Sequence, residues 1–313
     1  MSRIRTKVGR TLREGGLIAQ IPDAFTATQL EQIRTIVAAE IEAGVSPRAP
    51  KPEPERHDFL DSYTSAVPSP QVAVDIFSGE WSSRLPDELN VTSGDAGLFA
   101  DSRIDALIEW FGKAIVGAAV LELGPLEGGH TFMLDRAGAK VYAVESNSRA
   151  YLKCLVVKEL LGMKHARFVR GDFVEFLRTD HDRYDLVVAS GVLYHMVDPV
   201  ELLTLMAAAG DRLAIWTHYY DGEILRNSTT ARQFQSPPEP FQFGDATYLL
   251  HPRDYLEALA WGGFCGGPET YAHWMERHDI VDCLGRLGFT DIQISHEQLT
   301  HPNGPSFLLL ARR

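Results

Sequence analysis

Residues 120–130 constrain the fold of this chain more than any other stretch, because a buried strand, a glycine-rich turn and a helix follow one another there. The small apolar run 118–121 suits a strand that is buried on both faces of a sheet. In the turn, Gly124 lets a ligand approach the backbone, and Gly128 and Gly129 let the chain bend into the helix. This order predicts the first strand–turn–helix unit of a nucleotide-binding α/β fold.

A carboxylate follows at the distance that such a fold uses. Residues 140–144 predict the second strand, and Glu145 at its end lies 21 positions after Gly124. In nucleotide-binding folds, an acidic side chain about 20 residues beyond the first glycine accepts hydrogen bonds from the two ribose hydroxyls. Leu126 replaces the second glycine of the Gly-x-Gly-x-x-Gly pattern and would crowd a pyrophosphate. A ligand with ribose and adenine but no phosphate fits better, and S-adenosylmethionine is such a ligand.

Strands and helices alternate regularly from residue 118 to residue 217, which is typical of a parallel sheet covered by helices on both faces. The predicted strands are 118–123, 140–144, 166–170, 184–189 and 211–217, and the predicted helices are 129–137, 148–161, 172–178 and 198–209. A further helix at 278–287 and two strands at 291–295 and 306–311 close the chain.

Three regions are predicted along the chain. Residues 1–57 form an N-terminal helical extension and linker, with a helix that begins near Thr26. Residues 58–117 resemble the segment that precedes the first strand in several methyltransferase families, a resemblance that implies a segment covering the cofactor, and residues 118–313 form the α/β domain.

Within the segment 58–117, a helix is predicted at 102–111 with Ser102 as its cap. Three aromatic residues precede or flank it, and they either wall the cofactor cleft or simply pack in the core: Phe77, Trp81 and Phe99.

Residues 219–272 break the alternation and are too long for an ordinary connection. We expect a mostly irregular insertion over the carboxyl edge of the sheet, where it acts as the substrate lid. A helix at 252–260 is predicted inside it.

Composition and charge restrict the classes of molecule that the protein is expected to bind. Of its 313 residues, 45% are hydrophobic, and the formal net charge of −12 argues against broad binding of nucleic-acid phosphates. The sequence has no run of about 20 apolar residues for a membrane span and no apolar signal peptide at its start. Three scattered cysteines suit a reducing compartment and give no metal-binding spacing. We therefore expect a cytoplasmic protein with a small-molecule substrate, no metal and no membrane contact; its oligomeric state stays open.

The pattern Glu-x-Gly-x-x-x-Gly at 122–128, followed by Glu145, resembles the class I S-adenosylmethionine-dependent methyltransferases. The sequence Gly-Val-Leu-Tyr-His at 191–195, with Asp-Pro at 198–199, resembles the branch that contains the tRNA wobble-uridine carboxymethyl transferases and their uncharacterised relatives. The resemblance covers residues 90–313. It implies a Rossmann-like seven-stranded methyltransferase sheet with helices on both faces and a lid insertion after strand five.

Ligands bind beyond the carboxyl ends of parallel strands, so the residues delivered there are the candidates for the cofactor site. Glu122 either organises the turn or approaches the amino acid part of the cofactor, and Glu145 takes the ribose. Asp172 accepts the exocyclic amine of adenine, caps the next helix, or does both. The predicted cofactor-binding residues are Glu122, Gly124, Gly128, Glu145, Asp172, Phe173, Ser190 and Gly191.

Two histidines are the catalytic candidates, because a base with a near-neutral pKa helps a hydroxyl or amine acceptor lose its proton. His195 follows the fourth strand beside the expected methyl position, where it acts as the base or holds the loop through hydrogen bonds. His273 lies at the end of the predicted lid. The predicted substrate-binding residues are Tyr194, Tyr219 and Trp274, of which Tyr194 is also expected near the methionine part of the cofactor.

These features predict transfer of a methyl group from S-adenosylmethionine to a small organic molecule by in-line displacement, with an oxygen, nitrogen or sulfur acceptor. A tRNA-modifying (carboxy)methyl transferase of the same fold is the alternative. A non-catalytic nucleotide-binding or scaffold protein would also keep the fold. The missing middle glycine argues against a nicotinamide oxidoreductase.

Overall fold

The computed structural model describes residues 63–180, 182–226, 228–261, 263–264 and 266–313. The predicted extension 1–57, with the helix near Thr26, lies outside the described residues.

The α-helices of the described residues are α1 Pro70–Val74, α2 Ser102–Phe111, α3 Gly129–Arg136, α4 Ser148–Leu161, α5 Phe173–Thr179, α6 Pro199–Ala209, α7 Gly222–Leu225 and α8 Arg277–Arg286. None of these described helices has the length and apolar character that crossing a membrane requires. The strands are β1 Ala119–Leu123, β2 Lys140–Glu145, β3 Ala166–Arg170, β4 Leu186–Ser190, β5 Arg212–His218, β6 Glu239–Phe243, β7 Ala246–Asp254, β8 Tyr271–Trp274, β9 Asp291–Gln298 and β10 Ser306–Arg312.

Seven strands form one sheet in the order β3-β2-β1-β4-β5-β10-β9. Strands β1 to β5 are parallel, whereas β10 runs antiparallel to its neighbours β5 and β9. The chain winds outward from β1 to β3 and then returns to β4, so the topological switch point lies between β1 and β4. This sheet confirms the predicted Rossmann-like architecture.

Both faces of the sheet are buried, and successive residues of one strand face opposite sides. Leu121 and Leu123 of β1 belong to a hydrophobic cluster that includes α6 and α8. Val120 belongs to a second cluster that includes α2, α3 and α4. Val187 and Val188 of β4 divide between the two clusters in the same way. Because the side-chain period of a strand is two, this alternation of apolar residues allows helices to cover both faces.

Aspartates cap two of the helices that lead to the site. The predicted cap Ser102 was wrong, because the Asp101 side chain accepts the first hydrogen bond of α2, from Arg103 N at 2.9 Å. Asp172 caps α5, which therefore begins one residue later than predicted. A carboxylate in these positions satisfies N–H groups that have no partner within the helix.

The insertion between β5 and α8 contains more regular structure than the sequence predicts. Strands β6, β7 and β8 form a separate antiparallel sheet. The predicted helix at 252–260 was wrong, because β7 continues to Asp254 and only a 3-10 turn, Leu256–Ala260, follows. Pro252 is compatible with β7 because β6 pairs with β7 only as far as Leu250, and no other strand of the described residues pairs with that edge beyond it.

Candidate active site

The glycine-rich turn between β1 and α3 is tight and leaves little room for side chains. Gly124 has a φ of +62° and Gly128 a φ of +78°, values that favour glycine. A Cβ on Gly124 would lie 3.1 Å from Val192 Cγ2, and a Cβ on Gly128 would lie 3.0 Å from Phe168 Cζ. The conformation of the turn therefore depends on both glycines.

Glu145, at the end of β2, holds this turn through hydrogen bonds to the backbone. Its carboxylate oxygens accept from Leu126 N at 3.1 Å and from Asn147 N at 2.7 Å. Burial raises the pKa of the Glu145 carboxyl to about 7, although the backbone hydrogen bonds lower it. Each carboxylate oxygen can accept a further hydrogen bond, so two vicinal hydroxyl groups could share this carboxylate with the turn.

Glu122 lies inside β1 and is almost completely buried. Its Oε2 accepts a hydrogen bond from Thr131 Oγ1 of α3 at 2.5 Å. Burial raises the pKa of its carboxyl, against the opposing effect of the neighbouring His130. The bond to Thr131 joins β1 to the beginning of α3, which supports the first of the two roles open to Glu122, that of organising the turn.

Asp172 and Phe173 follow β3 at the same edge of the sheet. Asp172 Oδ1 accepts from Val174 N at 2.7 Å and from Glu175 N at 3.2 Å, which caps α5. The Asp172 side chain is exposed, and its Oδ2 has no hydrogen-bond partner among the described residues. Capping by one oxygen and a ligand contact by the other are therefore compatible.

The loop after β4 turns back against β5. Gly191 N donates to Trp216 O at 2.9 Å, and Gly191 has a φ of +86°. After Ser190 and Gly191, residues Leu193–His195 form a 3-10 turn. This turn places Tyr194 at the carboxyl ends of the two central strands β4 and β5.

The tautomer of His195 is set by Tyr255. His195 Nδ1 lies 2.8 Å from the Tyr255 hydroxyl, and that hydroxyl donates to Gly266 O at 3.0 Å. Because the hydroxyl carries one proton, its oxygen accepts from His195 Nδ1–H, which leaves Nε2 as a proton acceptor. Burial, with a smaller effect of the Arg253 charge, lowers the pKa of His195 to about 3. The imidazole is therefore neutral near pH 7.

Aromatic rings from β5 and β8 surround Tyr194. Its ring centroid lies 4.7 Å from that of His218, 5.9 Å from that of Trp216 and 6.2 Å from that of Trp274. His218 and Trp274 stack with an interplanar angle of 4°. Tyr194, His195, Trp216, His218 and Trp274 are referred to below as the aromatic cluster.

His273 of β8 supports the loop that carries His195. Its backbone N donates to Met196 O at 2.8 Å, and its Nδ1 donates to Val197 O at 2.6 Å. Its buried Nε2 has no hydrogen-bond partner among the described residues and lies 3.5 Å from Glu239 Oε2. These contacts favour a positioning role for His273 over contact with a substrate.

Tyr219 lies outside the aromatic cluster. Its ring packs against Phe307 at a centroid distance of 5.3 Å, and its hydroxyl donates to Glu297 Oε1 at 3.2 Å. The side chain is buried in the hydrophobic core beside β10. This position argues against the predicted contact between Tyr219 and a substrate.

The buried Glu127 side chain joins the glycine-rich turn to the residues that precede α2 and to α4. Glu127 of the turn accepts from Ser82 N at 2.9 Å and from Ser83 N at 2.7 Å. Lys153 Nζ of α4 lies 2.9 Å from Glu127 Oε1, and both side chains are buried. The part of the predicted covering segment that follows residue 62 is therefore anchored on the turn itself.

The three aromatic residues of that segment pack in the core. Phe77 and Trp81 meet edge to face at 6.1 Å, and Lys153 Nζ lies over both rings. Phe99 packs against Phe132 of α3 at 5.8 Å. These contacts support the packing role that the sequence left open beside the role in walling the cleft.

Several residues of the site have no signal in the sequence. Tyr255 and Arg253 come from the stretch predicted as a helix, and they belong to no motif.

A cavity of about 300 Å³ borders the aromatic cluster at Trp216 and is also lined by Arg103 and His301. Only the folded chain brings these side chains together.

Comparisons with known proteins agree with this geometry. Residues 121–208 match the protein family described as a methyltransferase domain. A comparison with curated proteins found no match. The crystal structure of the N-terminal domain of EvdMO1 with SAH bound is 22% identical in sequence; the alignment covers 77% of this chain and 94% of that one, with a TM-score of 0.58. A structure of EvdMO1 that extends beyond this domain is 20% identical, with 77% and 46% of the two chains covered and a TM-score of 0.51.

The match at 121–208 spans the glycine-rich turn, Glu145, Asp172 and the loop after β4. It confirms the predicted enzyme class, an S-adenosylmethionine-dependent methyltransferase. The likeness to the EvdMO1 domain confirms the predicted fold.

Proposed function

We propose that this chain transfers a methyl group from S-adenosylmethionine to a small organic molecule, which is held between the loop after β4 and the insertion. The observation that carries the proposal is the aromatic cluster, since the chain assembles it from that loop, β5 and β8. Such walls suit a flat or apolar molecule.

The cofactor would lie across the glycine-rich turn. In this proposal Glu145 accepts hydrogen bonds from the ribose hydroxyls, and Asp172 accepts one from the adenine amine through its Oδ2. Phe173 lies beside the adenine ring, and Ser190 with Gly191 bounds the cleft on the β4 side. Bound there, S-adenosylmethionine supplies a methyl group on a sulfonium, which needs no further activation as a leaving group.

His195 is proposed as the base for a hydroxyl or amine acceptor. The acceptor proton moves to Nε2, while Nδ1–H stays on the Tyr255 oxygen, so the imidazole gains one positive charge as the acceptor gains the methyl group. Tyr194 and Trp274 orient the acceptor, and the surrounding rings exclude water. His273 positions the loop through its bonds to Met196 and Val197.

A tRNA-modifying transferase is the second candidate, favoured by the sequence Gly-Val-Leu-Tyr-His at 191–195. Two observations weigh against it. The net charge is −12, and the rings of the aromatic cluster are covered in part by the chain's own insertion.

Both candidates are tested by calorimetry with S-adenosylhomocysteine (SAH), the product that the cofactor becomes, and then by methyl transfer from labelled S-adenosylmethionine. We expect SAH to bind and the label to pass to a hydroxyl, amine or thiol compound in a panel of small molecules. Label found only on total tRNA would support the second candidate. Binding without any transfer would support the scaffold alternative, and an absence of SAH binding would overturn the proposal.

A further inference from the structure

Arg253, in the last part of β7, is a half-buried cation among aromatic rings. Its guanidinium carbon lies 5.0 Å from the ring centroid of Trp274 and 5.4 Å from that of Tyr255. Its charge lowers the pKa of both His195 and His218, although burial has the larger effect on each. The guanidinium is therefore next to the aromatic cluster and to the residue that orients His195.

Arg253 has no acidic partner in the described part of the chain. Its Nε donates to Gln233 Oε1 at 3.1 Å, and its two Nη atoms make no hydrogen bond to a described residue. Both Nη atoms are at least partly accessible to solvent. Burial lowers the pKa of this guanidinium, as expected for a cation that has lost water without gaining an anion.

Arg103, on the other side of the aromatic cluster, gives the contrast. Its guanidinium also lies on an aromatic ring, 4.2 Å from the centroid of Trp216. However, Asp101 accepts hydrogen bonds from it and balances its charge. The Arg253 guanidinium, by contrast, has two Nη atoms with unused N–H groups. Such a fork is suited to an oxyanion, which it can bind through two parallel hydrogen bonds.

We propose that Arg253 binds an anionic group of the methyl acceptor, so that the substrate of this enzyme is an organic acid rather than a neutral molecule. This inference rests on the proposed function. The proposed function alone contains an unfavourable step, because the half-buried Arg253 cation opposes the uptake of a proton at His195 Nε2. An oxyanion on Arg253 offsets this charge and makes His195 a stronger base.

Benzoate, phenyl phosphate and the neutral benzamide are suitable probes, measured by calorimetry on the full chain saturated with SAH. We expect benzoate or phenyl phosphate to bind more tightly than benzamide, and the preferred anion shows whether the site suits a carboxylate or a phosphate. R253Q should weaken binding of that anion by roughly 10- to 100-fold. R253K, which keeps the charge but not the fork, should lose less.

Arg232→Gln is the matched control, because Arg232 lies in the same insertion but is exposed and paired with Glu257 at 2.7 Å. It should leave anion binding unchanged. Thermal melting and SAH binding of R253Q show whether it folds; if it does not, the comparison of R253K with wild type decides. Equal binding of the anions and benzamide, or anion binding unaffected by the Arg253 variants, would overturn the inference. Failure of wild type to bind SAH would instead overturn the proposed function, and the probes are then measured without SAH.

Discussion

The cofactor side and the acceptor side of this site are built in different ways. On the cofactor side, Glu145 and Asp172 accept hydrogen bonds from backbone N–H groups within 19 residues of them. On the acceptor side, the Trp274 indole donates to the backbone of Tyr194, 80 residues away, and the His218 ring contacts the rings of both residues. The cofactor side is thus fixed by a short stretch of sequence, whereas the acceptor side exists only when the insertion has folded onto the β4 loop.

The largest expected effect comes from His195→Gln, which changes the acceptor side alone. If Nε2 is the base, kcat falls by roughly 10²- to 10⁴-fold, because an amide cannot take up the acceptor proton. Affinity for SAH stays unchanged. Steady-state kinetics and calorimetry on the same preparation measure the two quantities.

Two further variants test this interpretation. Tyr255→Phe removes the acceptor for His195 Nδ1–H and should lower kcat less than His195→Gln does. His278→Gln, a change at an exposed histidine, should have no effect. If His195→Gln kept the wild-type kcat, His195 would not be the base, and its role would be to hold the loop through hydrogen bonds.

Gly124→Ala changes the cofactor side, at the point where the glycine-rich turn meets Val192 of the loop after β4. The new Cβ would lie 3.1 Å from Val192 Cγ2 on the turn that faces the ligand, at a φ of +62°. We expect the affinity for SAH to fall by roughly 10- to 100-fold. Gly162→Ala is the matched control, because Gly162 has a φ of +61° and open space around its Cα. Both variants carry the same backbone strain, so an equal loss of SAH affinity in both would contradict a specific role for Gly124.

The protonation state of Glu145 makes both the stability of the fold and the affinity for SAH depend on pH. Burial raises the pKa of its carboxyl from 4.5 to about 7, so the folded state binds this proton more tightly than the unfolded state does. The stability that this proton gives is full below about pH 4.5 and is lost as the pH rises to about 7, a change of roughly 3 kcal/mol. Ribose hydroxyls donate to the ionised form, so affinity for SAH should rise over the same range and then level off.

Glu145→Gln should remove this pH dependence and lower the affinity for SAH at pH 8 by about tenfold, because an amide cannot accept from Leu126 N and Asn147 N with both of its ends. Calorimetry between pH 5 and pH 8 measures both effects. Glu159→Gln, a change at an exposed glutamate of α4, is the control. A Glu145→Gln protein with the wild-type pH profile would show that another group is responsible.

The smallest effect is expected from Asp172→Ser. Serine still caps α5 but removes the second carboxylate oxygen, so stability should hold while the affinity for SAH falls by roughly 2- to 10-fold. Asp221→Ser is matched to it, because Asp221 caps α7 in the same way, through Glu223 N and Ile224 N. Unchanged SAH affinity in Asp172→Ser would limit Asp172 to capping.

The sequence predicted the sheet closely. Helix 148–161 and strand 166–170 agree with the structure at both ends. Apolar periodicity and glycine positions are local signals, so they act within one strand or one turn. Gly124 and Glu145 became candidates through a local signal as well, since the spacing between them is fixed by one βαβ unit, and the structure joins the end of β2 to the turn through the bond from Leu126 N to Glu145.

The neighbours of His195 on the acceptor side were predicted less well than the sheet. Tyr194, His195 and Trp274 were candidates, but Arg253 and Tyr255 were assigned to a helix that is in fact the end of a strand and a 3-10 turn. Pairing between β7 and β8 overrides the local preference there, and such pairing is not visible in a single sequence. Tyr219 was placed at the site because it follows β5, yet its ring turns toward Phe307 in the core.

The three hydrogen bonds from β8 to the loop after β4 have a consequence for how such enzymes diverge. Trp274 donates to Tyr194, and His273 donates to Met196 and Val197, so β8 supports the loop that carries the proposed base and, under the proposed function, also contacts the acceptor. A descendant that acquired a different insertion would lose the support of its β4 loop unless the new segment supplied an equivalent strand. Under the proposed function, single substitutions around Arg253 would change acceptor specificity while leaving these three hydrogen bonds in place.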